Sequence, residues 1–176
     1  MNLIFDLETN GLLSEVDTVH CLAIKDIDTN EVFVFNDQGG DRETITTGIT
    51  SMLMNADTVI GHNIINYDIP VLKKLYPFFE SPTAIDTLVL SRMYHGDMLQ
   101  LDRRRQWPRM PLQLYGRHSL ESYGYRLGEY KGEFGKGTDW KQWSQEMESY
   151  CEQDLAVTHK LWDHFAKKFK TVHEII

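Results

Sequence analysis

The sequence predicts a single α/β domain over residues 1–176, a mixed five-stranded sheet flanked by helices. Three observations predict it. The chain opens with three short apolar strands and no helix between them, strand and helix alternate after residue 58, and a long amphipathic helix closes the sequence.

Taken in order, Leu3-Ile4-Phe5 reads as a short buried strand, Val19 to Ile24 as a second and Glu31-Val32-Phe33-Val34-Phe35 as a third. Gly11 and Asp28-Thr29-Asn30 supply the turns. Residues 42–54 suit a helix, because Ile45, Ile49, Met52 and Leu53 fall on one stripe. Thr58-Val59-Ile60 is a strand ending at Gly61, and a helix is expected from about Asn66, with Asn66 as its N-cap and Pro70 early enough to be tolerated. Thr83-Ala84-Ile85-Asp86 is a further strand and Thr87 to Tyr94 a helix. Residues 95–117 read as a long irregular loop carrying Arg103, Arg104, Arg105 and Trp107. A short helix spans Ser119 to Tyr125, a Gly-rich stretch Gly128 to Gly137, and the last helix about Ser144 to Phe169.

Composition excludes disorder, and no apolar run approaches the roughly 20 residues that span a bilayer, so no membrane partner is expected. The chain reads as soluble and cytoplasmic, in a bacterial or phage-infected cell. Cys21 and Cys151 lie in no metal-ligand spacing and read as reduced, buried thiols. The net charge of −8 argues against broad duplex binding. It is compatible with an enzyme that gathers carboxylates for metals and grips a few nucleotides.

Three clusters carry chemistry. Asp6-Leu7-Glu8 follows the first apolar strand, where residues two apart face one side, so both carboxylates project together and repel unless a cation lies between them. Alone, the pair equally fits a solvated edge. His62 to Asp68 follows the strand ending at Gly61 and opens a helix, where ligands commonly sit in open sheets. Asp68 there also fits a simple complement to the helix dipole. Tyr150 and Asp154 lie four apart on the core side of the last helix, where a carboxylate needs a metal or a hydrogen-bond partner. Four converging acids, without a cysteine or histidine pair, select Mg²⁺ or Mn²⁺ over zinc, and such sites usually serve phosphoryl chemistry.

Asp6-Leu7-Glu8-Thr9, His62-Asn63-x-x-x-Tyr67-Asp68 and Tyr150-x-x-x-Asp154, in that order, resemble the three exonuclease motifs of the DEDD (DnaQ-like) superfamily. Tyrosine at 150 resembles the DEDDy branch. Ile85 to Arg92, His118 to Glu121, Tyr123 to Glu129 and Lys131-Gly132-Glu133-Phe134 are similar to the proofreading domain of phage family-A DNA polymerases. The resemblance implies a ribonuclease-H-like sheet with helices on both faces. It implies a 3′–5′ exonuclease with two divalent ions, Mg²⁺ or Mn²⁺. Asp6, Glu8 and Asp154 would hold the first, Asp6 and Asp68 the second, and Tyr150 would orient the attacking water. By that likeness the segment after Glu8 lies beside the terminal nucleotide, so Thr9, Asn10 and Leu12, with Asn63 in the second motif, are the candidate substrate contacts, while His62 and Tyr67 read either as packing residues of the turn or as further contacts. Those polymerases continue into a polymerase domain, whereas this sequence stops at Ile176, which fits a free-standing exonuclease or a piece of a longer protein.

Three function classes follow: an exonuclease on DNA 3′ ends, single-stranded or frayed, with a separate DNA polymerase as a candidate partner; an exonuclease on RNA or short oligonucleotides; and a silent binding or assembly domain. The intact acid set argues against the third. Arg103, Arg104 and Arg105 with Trp107 form the best basic patch, readable either as a strand-binding loop or as a solvated loop with Trp107 packed on the body. Lys131 and Lys136 are weaker candidates.

Overall fold

The structure is a computed structural model that describes residues 1–130 and 137–173, with side chains through residue 169. Its strands are β1 (Asn2–Thr9), β2 (Val19–Asp26), β3 (Val32–Phe35), β4 (Thr58–Gly61) and β5 (Thr83–Asp86). Its helices are α1 (Ile45–Ser51), α2 (Asp68–Leu75), α3 (Thr87–Tyr94), α4 (Met98–Arg105), α5 (Leu120–Leu127) and α6 (Gln145–His173). The strands form one sheet in the order β3-β2-β1-β4-β5, antiparallel where β1, β2 and β3 meet and parallel across β1, β4 and β5. This is the mixed five-stranded sheet expected from the sequence.

Strand alternation assigns the two faces. Leu3, Phe5 and Leu7 point to one side, where they pack with Leu22, Ile45, Ile49 and Leu72 against α1 and α2. Ile4 points to the other, packing with Ala23, Ile60, Met147, Cys151 and Leu155 under α6. A third cluster joins α4 and α5 to α6 through Met98, Tyr123, Leu161 and Phe165. Helices thus cover both faces of the central strand. Among the described residues, no helix is long and apolar enough to cross a membrane.

Several boundaries differ from the sequence reading, the larger ones for physical reasons. The helix expected over 42–54 is shorter: the Thr44 hydroxyl caps α1 by accepting from the Thr47 N–H, and a 3-10 turn at Leu53–Asn55 follows. The residue before α2 is Tyr67, not Asn66, and no side chain caps it locally. Instead Asp86, at the end of β5, accepts the N–H groups of Asn63 (2.9 Å) and Ile65 (3.0 Å), besides capping α3 at Leu88. The stretch 95–117 contains α4 and a 3-10 turn at Leu112–Leu114. α4 buries only Met98 and Asp102, so no apolar stripe announces it, and its three arginines fill the last turn, where the helix dipole favours cations. β1 runs on through the acidic motif to Thr9. Lys131 to Lys136 lie outside the described residues.

Gly61 fixes how tightly β4 turns into the next segment. A Cβ there would lie 2.2 Å from Ile64 Cγ2 and 3.0 Å from the carbonyl oxygen of Phe5, so no larger residue fits without moving backbone.

Candidate active site

β1 is the longest strand beside β4, and this mismatch makes the site. The parallel ladder ends at Ile4 opposite Ile60, while β1 continues five residues further. Beyond that point one edge of β1 is unpaired by strand, and the N-terminus of α2 fills it: the Leu7 N–H donates to Asp68 Oδ1 at 3.2 Å. The crevice lies at the carboxyl ends of the parallel strands, where open sheets place ligands.

Asp6 and Glu8 project together toward α6. One carboxylate oxygen of each and the Cys151 sulfur lie within 4.8 Å of one another. Cys151 was no candidate in the sequence, being 145 positions from Asp6. Its thiol donates to the Asp6 carbonyl (3.4 Å) and to Asp6 Oδ2 (3.5 Å). Burial first, then a hydrogen bond with Cys21 and the charge of Asp6, push the Cys151 thiol up, so it stays protonated. Both cysteines are free and buried, as expected.

Asp68 and Asp154 do not belong to that group of three, yet they face each other electrostatically. Burial, and then the charges of Asp86 and Asp154, push the Asp68 carboxyl up to about 7, against the pull of its own N–H and that of Leu7. Asp154 is 5% exposed and Asp68 4%. Tyr150 lies one turn before Asp154, its ring edge-on to Trp140 at 6.5 Å. Trp140 is a second residue that the sequence did not single out; its carbonyl accepts from His20 Nε2 at 2.8 Å.

Hard oxygen donors converging, with the Asp68 carboxyl raised by burial and in part by the charge of Asp154, fit a divalent cation such as Mg²⁺ or Mn²⁺. The raised Asp68 gives a test. In metal-free protein the folded state holds a proton that the unfolded state releases above its ordinary pKa of 3.8. This group's share of stability is therefore greatest below about pH 4 and falls as pH rises toward 7, by at most about 1.4 kcal/mol per pH unit. Denaturant titrations in chelator at several pH values should show that slope, and Asp68→Asn should flatten it. An equal slope in the variant would assign it to other groups.

The remaining sequence candidates divide between two grooves. Thr9, Leu12, Tyr67 and Trp140 line an open groove of about 370 Å³ beside Glu8. There the Tyr67 hydroxyl bonds Thr9 Oγ1 and donates to the Gly11 carbonyl at 2.5 Å, and Leu12 is 72% exposed at the rim. Asn10 instead secures the adjoining loop, accepting from the N–H groups of Asp17 and Thr18 and donating to Asp17 Oδ1. Asn63, in the left-handed region at φ 67°, lines a second groove with Arg92, Arg117 and His118. His62 packs the turn, with Nδ1 bonded to Thr87 Oγ1 (2.8 Å) and Nε2 to the His118 carbonyl (2.9 Å). Trp107 donates to Asp102 and stacks under Arg105. The aromatic of the basic patch is therefore packed on the body.

The model of the RNase_H superfamily matches residues 3–127. Among curated proteins, the DNA-directed DNA polymerase of Enterobacteria phage T3 is 32% identical over 182 aligned positions, and that of Escherichia phage T7 is 31% identical. Each match covers 90% of this chain but 26% of the polymerase, so the chain spans about a quarter of the relatives' length. Among solved structures, Brucella melitensis NrnC with bound Mg²⁺ superposes with a TM-score of 0.62 at 18% identity, covering 98% of this chain and 75% of that one. The same protein is also solved bound to pGG.

Proposed function

The chain belongs to the RNase_H superfamily, and on that premise we propose that it is a metal-dependent exonuclease that shortens DNA from the 3′ end, releasing nucleoside 5′-monophosphates. The observation that carries the proposal is the convergence of the Asp6 and Glu8 carboxylates, within 4.8 Å, in the crevice beside buried Asp68 and Asp154. We assign these four residues to hold two divalent ions, Mg²⁺ or Mn²⁺. Bound there, such ions supply an activated water and positive charge for the leaving 3′ oxygen.

This chain's own groups do the rest. Tyr150, fixed edge-on to Trp140, orients the attacking water by hydrogen bonding; a phenol with a reference pKa of about 10 is a poor base at neutral pH. The neutral Cys151 thiol holds the Asp6 carboxylate from below. Thr9 and Leu12 receive the terminal nucleotide in the groove beside Glu8, with Asn10 securing the loop that carries Leu12. Asn63, Arg92 and Arg117 receive the preceding phosphates in the second groove, a local cationic strip on a chain of net charge −8. Its substrate in this reading is a single-stranded or frayed 3′ terminus, which a narrow groove with few cationic contacts can grip.

The match to phage DNA polymerases supports DNA as substrate. NrnC bound to pGG supports a second reading, cleavage of short oligonucleotides including RNA. A 5′-labelled single strand, as DNA and as matched RNA, resolved on a sequencing gel with Mg²⁺ or Mn²⁺, separates them. The expected result is a ladder shortening from the 3′ end of DNA and abolished by chelator. Faster cleavage of the RNA would establish the second reading, and no product from either strand would sink both.

A further inference from the structure

A cavity of about 270 Å³ opens among α3, α4, α5 and α6, and none of the four acids lines it. Its walls are Trp107, Tyr123, Leu101 and Leu127, with His95, His164 and Arg126 as its polar points. The proposed reaction uses none of them.

We infer that this cavity binds one nucleotide with its base inward. Four observations define the ligand. The size lies just below the roughly 300–1,000 Å³ usual for ligand sites, which limits the occupant to about one base with its sugar. The walls combine aliphatic and aromatic side chains, which bind the faces of a flat ring. The third observation is Arg126, whose side chain is only 6% exposed. Its Nε and Nη2 donate to Asp102, and Nη2 also to the Arg117 carbonyl, but its buried Nη1 has no hydrogen-bond partner. The fixed guanidinium in the wall, its carbon 4.9 Å from the Tyr123 ring centre, favours a ring that carries acceptors over a purely aliphatic occupant. Asp102, beside it, is spent on Trp107, Gly116 and Arg126, so it does not compensate Nη1 further.

The fourth observation is charge at the mouth. Arg105 also lines the cavity, its guanidinium carbon 5.0 Å from the Trp107 ring centre, and is exposed to meet a phosphate. His95 and His164 close another side, their Nε2 atoms hydrogen-bonded to each other at 2.9 Å. A flat, acceptor-bearing ring with an anionic tail matches all four features. Such a ligand has two sources: a free nucleoside monophosphate, or a base of a strand lying in the neighbouring groove. Arg126 links the two places, because the Arg117 whose carbonyl it holds lines that groove.

The inference uses the proposed function only for the ligand's source, so its test runs without divalent metal. The full chain and Asp6→Ala are titrated with dAMP in chelator by calorimetry. One site is expected in both, weakened roughly tenfold or more by Trp107→Ala, the loss typical when a stacking partner goes. Because Trp107 also bonds Asp102, Leu101→Trp serves as a second variant that fills the cavity and leaves that network whole. Binding lost in both variants with an unchanged oligonucleotide KM assigns the cavity to the free nucleotide. Binding lost together with a raised oligonucleotide KM assigns it to a base of the strand. Absence of dAMP binding in chelator, or dAMP binding undiminished in Leu101→Trp, overturns the inference.

Discussion

Asp6→Ala and Asp154→Ala each lower metal-dependent release of nucleotides on the order of 10²–10³-fold or more, the scale lost when a principal charge-stabilising group leaves a site shielded from water. The expectation rests on where the carboxylates stand. Asp6 shares its 4.8 Å cluster with Glu8, and Asp154 is buried where its charge already opposes that of Asp68. These groups repel one another without a cation, so removing one relieves strain in the metal-free protein rather than adding it. Folding should therefore survive, and in chelator the melting temperature of either variant should equal or exceed the parent's. Metal tells the opposite story. A ligand that binds only the folded state at 100 times its Kd adds about 2.7 kcal/mol, and that gain should shrink in both variants. Gel assays paired with thermal melts, each with and without Mn²⁺, make the check. Parent-rate cleavage by either variant would remove the four acids from the mechanism, and a collapse of the melting temperature in chelator would show that the carboxylate serves structure instead.

How much of this was legible in the sequence depends on how local the cause is. The five strands follow from short apolar and β-branched runs bounded by turn residues, the shared face of Asp6 and Glu8 from a period of two, and the inward face of Asp154 from the apolar stripe of α6. The start of α2 did not follow, because the cap of the turn before it comes from Asp86, 21 and 23 residues further along the chain. α4 did not follow because a helix that buries only Met98 and Asp102 has no hydrophobic period to read. Within the site, Cys151 was invisible for a different reason. A thiol that donates across the sheet to Asp6 leaves no spacing in the sequence, and only the pairing of Glu8 with Cys21, next to α6, brings it there. Asn10 illustrates the reverse. A polar residue after an acidic motif reads as a substrate contact, while the amide here is committed to Asp17 and Thr18 and secures the loop that carries Leu12, a long-range role that no local spacing announces.

Asp102→Ala is expected to destabilise the fold by about 3–5 kcal/mol, the cost of leaving a buried charge without its partner. Asp102 is 1% exposed and accepts four hydrogen bonds: from Trp107 Nε1 (2.9 Å), the Gly116 N–H (2.8 Å), and Arg126 Nε (3.0 Å) and Nη2 (2.7 Å). Burial pushes its pKa up, but the bonds from Arg126, Gly116 and Trp107 outweigh it and hold the carboxyl below its ordinary 3.8. The sign follows: this stabilisation is present above pH 3.8 and is lost as pH falls through the lower folded-state value. At neutral pH, therefore, the variant loses all of it and strands the Arg126 guanidinium over Tyr123. For a chain of this length the loss corresponds to a fall in melting temperature of roughly 10 °C. Asp102→Ala combined with Arg126→Met should recover part of the loss, since the stranded charge is gone, with a coupling of about 0.5–3 kcal/mol in the double-mutant cycle. Purely additive losses would mean that the pair contributes packing and not electrostatics. The contrast with Asp6 is then diagnostic: both aspartates sit among polar neighbours, but only the one whose partners are all donors supplied by the protein should unfold the chain when removed.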